Sequence, residues 1–110
     1  MDNITKIQEK MRSGELSSRN PHGCAEAKAL LAGEYSFWAG MLENIIVLRA
    51  TEWPRMRLNH KSDKQCDIEW QGTENGKNEA GIEMKLKRIT IMMSGLSSLI
   101  RMAELEARNI

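Results

Sequence analysis

Two histidines and two cysteines fall in two pairs, His22 with Cys24 and His60 with Cys66, and together they make a donor set that zinc accepts. One residue separates the first pair and five separate the second, unlike the usual finger spacing. If residues 24–51 form one helix, the pairs lie at its opposite ends, about 42 Å apart at about 1.5 Å per residue. Only an antiparallel dimer would then join them. The expectation is two free thiols and two solvent-facing imidazoles, with no metal and no cofactor. The chain has no Gly-x-x-x-x-Gly-Lys-Ser/Thr phosphate loop, no Gly-x-Ser-x-Gly elbow and no His-Glu-x-x-His pair. Catalysis needs nucleophile, base and orienting group to converge on one cleft, and no spacing here announces that, so an enzyme is not expected.

Charge gives the more useful pattern. Residues 49–64 hold Arg49, Arg55, Arg57, Lys61 and Lys64 against Glu52 and Asp63, a net of +3. Residues 65–83 hold Asp67, Glu69, Glu74, Glu79 and Glu83 against Lys77, a net of −4. Residues 84–101 hold Lys85, Lys87, Arg88 and Arg101 with no acid, a net of +4. Such runs are ordinarily solvated faces. Where they bind, the planar fork of arginine suits carboxylates and phosphates alike. Arg49, Arg55, Arg57, Lys61, Lys64, Lys85, Lys87 and Arg88 are therefore the candidate partner-binding residues, facing an acidic protein surface. Trp53 and Trp70 are candidate stacking rings should the partner be a nucleic acid or nucleotide, although each tryptophan also suits core packing. Sixteen basic against fifteen acidic residues leave a net charge of +1, which argues against bulk nonspecific binding to nucleic acid.

The elements that must position these residues read as helices. Ile4, Ile7 and Met11 give a short amphipathic segment over residues 2–12, broken by Gly14 and the polar run from Ser17 to Gly23. From Cys24 to about Thr51, Ala27, Leu31, Tyr35, Trp38, Leu42, Ile45 and Arg49 recur three and four apart, and Pro54 is expected to end that helix. On another stripe of the same helix, Ala29, Gly33, Ser36 and Gly40 leave almost no side chain, so a second helix from this chain or a partner is expected against it. Residues 54–64 read as a polar connector, in which Ser62 and Gln65 have capping-box spacing. From Ile82 through Leu86, Ile89, Met93, Leu96, Ile100 and Ala103 to Ala107, spacings of four and three alternate without a miss. A β-hairpin over residues 66–93, turning at Asn75-Gly76, competes with that helix but needs a bulge between Leu86 and Ile89. Residues 66–81 read as a frayed early helix or an irregular loop.

Length and composition set the frame. With 110 residues and 41% hydrophobic positions, one helical domain over 1–110 is expected. Eight methionines supply adaptable packing. No apolar run reaches the roughly 18–20 residues of a membrane span, and the start Met-Asp-Asn-Ile-Thr-Lys lacks a basic-then-apolar signal segment, so the expected location is the cytoplasm. The expected fold is all-α: an antiparallel hairpin of two long helices with a short N-terminal helix. Such a chain is elongated, with more apolar stripe than one hairpin hides, and self-association as a symmetric dimer would cover the excess.

The residues Asp67-Ile68-Glu69-Trp70, Thr73-Glu74, Gly76, Met84-Lys85-Leu86-Lys87, Ser94-Gly95-Leu96 and Glu106-Ala107-Arg108-Asn109 resemble the C-terminal half of small helical proteins from bacteriophage early regions. The likeness covers about the last 45 residues and carries no catalytic residue to transfer. It implies a setting, the host cytoplasm early in infection. Small proteins there often act by binding, as anti-CRISPR-like inhibitors of host defence, as signalling-nucleotide sponges or as recombination accessories. A noncatalytic inhibitor that occludes a host protein is the leading expectation. A nucleic-acid or nucleotide-binding accessory is the alternative.

Overall fold

The structure is a computed structural model that describes residues 2–109. Four helices follow in order, α1 (Asn3–Ser13), α2 (Pro21–Arg57), α3 (Asp63–Gly72) and α4 (Glu74–Arg108), and no strand occurs among the described residues. The fold is all-α, with the long helices α2 and α4 packed against each other as a helical hairpin. The β-hairpin over 66–93 does not form. A bulge would cost pairing, whereas one helix places Ile82, Ile89 and Leu96 on a single buried stripe.

Local chemistry fixes the helix ends. The Asp2 carboxylate accepts from the Thr5 N–H at 2.7 Å and starts α1. Gly14, at φ +84°, closes it in the left-handed conformation that suits glycine. The second helix begins at Pro21, three residues before the expected start. Proline at the first helical position gives up an N–H that would have no partner anyway, and Asn20 Oδ1 accepts from the Gly23 N–H at 3.1 Å. Gly23 does not break the helix there; a Cβ at this position would overlap the Asn20 side chain.

Pro54 does not end α2, which continues one turn to Arg57. Proline removes one backbone donor, and Arg57 offsets that loss: its Nε donates to Asp63 Oδ1 at 2.6 Å and its Nη1 to the His60 carbonyl at 2.6 Å. The expected connector over 54–64 thus shrinks to residues 58–62. Ser62 caps α3 by accepting from the Gln65 N–H at 3.2 Å. Gln65 Oε1 answers by accepting from the Lys61 N–H at 3.0 Å, one residue outside the usual reciprocal bond.

Residues 66–81 are neither loop nor frayed helix. Thr73 divides them: its N–H donates to the Trp70 carbonyl at 3.0 Å, ending α3, and its hydroxyl accepts from the Gly76 N–H at 3.0 Å, starting α4. The turn is so tight that a Cβ on Gly76 would run into the Trp70 carbonyl. Gly76 therefore serves close backbone approach between two helices, and not a hairpin turn.

The chain forms two compact units. One comprises the segment up to Ser36 together with that from Lys87 onward. Its buried side chains include Ile4, Ile7, Leu16, Cys24, Leu31, Ile89 and Leu96. Here α1 runs alongside α4 in the same direction, with Gln8 on Arg88 and the Met11 methyl over Gly95.

The other unit is Phe37–Leu86. Its core is Ile45, Trp70 and Ile82, with Trp38, Leu42, Trp53, Met56 and Leu86 packed around it. Within this unit Lys85 stands 3.6 Å over the Trp38 ring and Arg49 reaches Glu79. Later residues of α2 thus meet earlier ones of α4, the antiparallel order expected of the hairpin.

Candidate functional site

Placing the eight candidate cations separates them into two groups. Four are occupied inside the molecule. Arg49 Nη1 donates to Glu79 Oε1 at 2.6 Å, Arg57 holds the α2–α3 corner, Lys85 covers the Trp38 ring and Arg88 donates to Gln8. The other four, Arg55, Lys61, Lys64 and Lys87, are exposed and carry no side-chain partner among the described residues. Arg55 lies in the last turn of α2, Lys61 in the 58–62 loop and Lys64 in the first turn of α3. Lys87 lies in the other unit.

The α2–α3 corner also carries Leu58, which is 86% exposed. Sequence reading passed over Leu58 because one leucine in a polar run has no period to reveal it. Its signal was the absence of any apolar neighbour three or four residues on to share a helical face. An exposed apolar side chain thus shares this segment with three cations that have no side-chain partner among the described residues.

The tryptophans take structural places. Trp70 is 3% exposed and belongs to the core. Trp53 is half-buried and donates from Nε1 to Asp67 Oδ1 at 2.8 Å. Both border a groove of about 560 Å³ that also takes in Arg49, Asp67, Gln71 and Glu79. Glu79 is 8% exposed, an expensive place for a carboxylate unless a cation meets it. Arg49 supplies that cation through one oxygen, while Oε2 and the Trp70 Nε1 lack hydrogen-bond partners. Asp67 and Glu79 against the single cation Arg49 leave the lining net negative, which opposes phosphate.

The Cys/His pairs are taken up separately. Cys24 is buried and its Sγ donates to the Ser17 carbonyl at 3.5 Å, while His22 pairs with Glu26 at 3.0 Å. Cys66 is buried against the Trp53 carbonyl at 3.6 Å, and His60 pairs with Glu69. Burial raises both thiol pKa values, and at Cys66 the charges of Asp67 and Glu69 raise it further. Among the described residues no three His, Cys, Asp or Glu side chains gather to hold a metal ion.

The small-residue stripe of α2 is bare. Gly33 and Gly40 meet nothing within 4 Å of an added Cβ, and Ala29 and Ser36 are exposed. Among the described residues no helix covers Gly33 or Gly40. No helix is long and apolar enough to cross a membrane among the described residues. Comparison of the chain with protein-family models, with curated proteins and with solved structures finds no match.

Proposed function

We propose that the protein is a noncatalytic binding module that occludes an acidic surface of a host protein, in the manner of a phage-encoded, anti-CRISPR-like inhibitor of host defence. The observation that carries this reading is the α2–α3 segment, where exposed Leu58 shares the link between the helices with Arg55, Lys61 and Lys64, none of them spent on a partner among the described residues. An apolar anchor inside a charged rim is the arrangement that gives an interface both a desolvated centre and electrostatic steering. The phage setting rests on the resemblance of the C-terminal residues, and the cytoplasmic location follows from it. The rival nucleic-acid or nucleotide reading draws on Trp53 beside Arg49 in the groove. It is the weaker because Arg49 already serves Glu79 and because Asp67 shares that lining.

The test is a plaque assay in bacteria whose CRISPR system targets the infecting phage. Expression of the wild-type chain is expected to restore plaques, and Leu58→Asp with Lys61→Glu and Lys64→Glu to lose them while circular dichroism stays unchanged. These positions are exposed, where substitutions typically shift stability by no more than about 0.5 kcal/mol. Restoration by the triple variant would reject this corner as the binding surface. Failure of the wild type across several such systems, with salt-dependent binding to an oligonucleotide, would move the function to the accessory reading.

A further inference from the structure

Within the Phe37–Leu86 unit, three helices wall the groove of about 560 Å³. Helix α2 contributes one face at helical spacing, with Ile46, Ala50 and Pro54 exposed and Arg49 and Trp53 half-buried beside them. Helix α3 brings Asp67 and Trp70, and α4 brings Glu79. The volume falls within the range of about 300–1,000 Å³ that small-molecule sites occupy.

The buried carboxylate is where this groove is incomplete. Glu79 is 8% exposed, and Arg49 meets only its Oε1, through Nη1 at 2.6 Å. Oε2 is buried with no hydrogen-bond partner among the described residues, and leaving an ionised oxygen unpaired in an interior is costly. A carboxylate accepts best from two parallel N–H groups of a planar cation, so Arg49 uses half of what Glu79 offers. The two partners also differ in freedom. The Arg49 side chain is 41% exposed against 11% for Glu79. The guanidinium, already half in water, is the exchangeable member of the pair, and the carboxylate is the fixed one.

We infer that the groove binds a small planar organic cation, an amidinium or guanidinium on a flat apolar body, which takes the place of Arg49 on Glu79. The head sets two N–H donors on the two carboxylate oxygens, the fork that Arg49 does not complete. Asp67 adds a second negative charge to the lining, so once Arg49 turns away the groove holds two carboxylates and no cation. The same charges that oppose phosphate select this ligand. The body lies along Ile46, Ala50 and Pro54, and the Trp53 ring offers a face to a flat cation. Trp53 is tied in place, since its Nε1 donates to Asp67 Oδ1 at 2.8 Å.

Arg49 is thus a built-in occupant that a ligand displaces, and affinity is set by the difference between two cations on one carboxylate. Two substitutions within the same ion pair then act in opposite directions. Removing the carboxylate abolishes binding, and removing the guanidinium improves it. An ion pair with a structural role alone gives no such reversal. None of Arg55, Leu58, Lys61 and Lys64 lines the groove, so this inference stands or falls separately from the proposed docking function.

Proton–nitrogen correlation NMR of the full chain tests this, with benzamidine as the probe and benzamide, its neutral counterpart, as the control. The three tryptophan indoles are the reporters. Benzamidine is expected to shift the Trp53 and Trp70 indole signals, spare that of Trp38, and bind with a Kd of about 1 mM or tighter. Benzamide is expected to shift none. Glu79→Gln is expected to weaken binding at least about tenfold. Arg49→Gln, which keeps an amide donor for Glu79, is expected to tighten it at least about threefold. Asp67→Asn changes an exposed residue whose amide oxygen can still accept from Trp53, and is expected to weaken binding about threefold. It carries the charge test if Glu79→Gln does not fold, as judged by circular dichroism. Methylguanidinium and N-acetylarginine amide separate a free small cation from an arginine side chain of another protein, the tighter of the two marking the source. Absence of shifts at about 10 mM benzamidine overturns the inference. So does equal binding of benzamide, weaker binding by folded Arg49→Gln, or a shift of Trp38 as large as those of Trp53 and Trp70.

Discussion

At Cys24 and Cys66, side chains that invite a metal or redox reading are packing groups. Each sulfur lies fully buried beside a backbone carbonyl, and burial disfavours the thiolate that any such chemistry needs. Neither thiol is expected to react with a maleimide or disulfide reagent at pH 7.5, and both are expected to react at once in urea. Mass spectrometry of the adducts reads this out. The raised folded-state pKa also sets a sign for stability. In the folded protein the proton is held above the ordinary value of 9.0, whereas the unfolded chain releases it there. Stability is therefore full below about pH 9 and falls as pH rises beyond it. A urea midpoint that climbs between pH 9 and 10 would contradict the burial of these groups. The sequence showed which residues could act as ligands, but it could not show that each was already satisfied by Ser17, Glu26, Trp53 or Glu69.

At the scale of elements, helix boundaries depend on approaches between segments that spacing alone does not display. The periodicity from Ile82 onward was readable, and α4 follows it. The stretch before it was not, because Gly72, Gly76 and Gly81 look like helix breakers until the neighbour of each is known. Gly72 and Gly81 have open space around them, while Gly76 lies under the Trp70 carbonyl. Gly76→Ala is therefore expected to lower stability by about 1–3 kcal/mol through forced displacement of the α3–α4 turn. Gly81→Ala is expected to raise it by up to about 1 kcal/mol through helix propensity. Equal effects from the two alanines in a denaturant titration would refute the close approach. Pro54 gives the same lesson in reverse. Its local preference to stop the helix is overridden by Arg57, which joins the last turn of α2 to Asp63 and His60.

For the whole molecule, the apolar seam along α4 is where one substitution should reach furthest. Ile89 and Leu96 are fully buried, whereas Met93 between them is half-buried and Ala107 is exposed. The seam thus weakens toward its C-terminal end. Ile89→Ala is expected to cost about 2–5 kcal/mol. Ile89→Asp, which buries an unpaired carboxylate, is expected to abolish the cooperative thermal transition in circular dichroism. A normal melt for Ile89→Asp would remove the seam from the core.

The sequence by itself determined the long second helix and the helical seam from Ile82 onward, of which Ile82, Ile89 and Leu96 are buried, while it left a β-hairpin over 66–93 open. Those properties follow from the three-and-four spacing of apolar residues, and that spacing is written along the chain. Only the tertiary structure decided that Arg49, Arg57, Lys85 and Arg88 are engaged while Arg55, Lys61 and Lys64 have no side-chain partner among the described residues. It also decided that Glu79 is the buried acid and that the glycine stripe of α2 stays uncovered. Charge pairing and burial are set by side chains distant in sequence, whose distances no local period encodes.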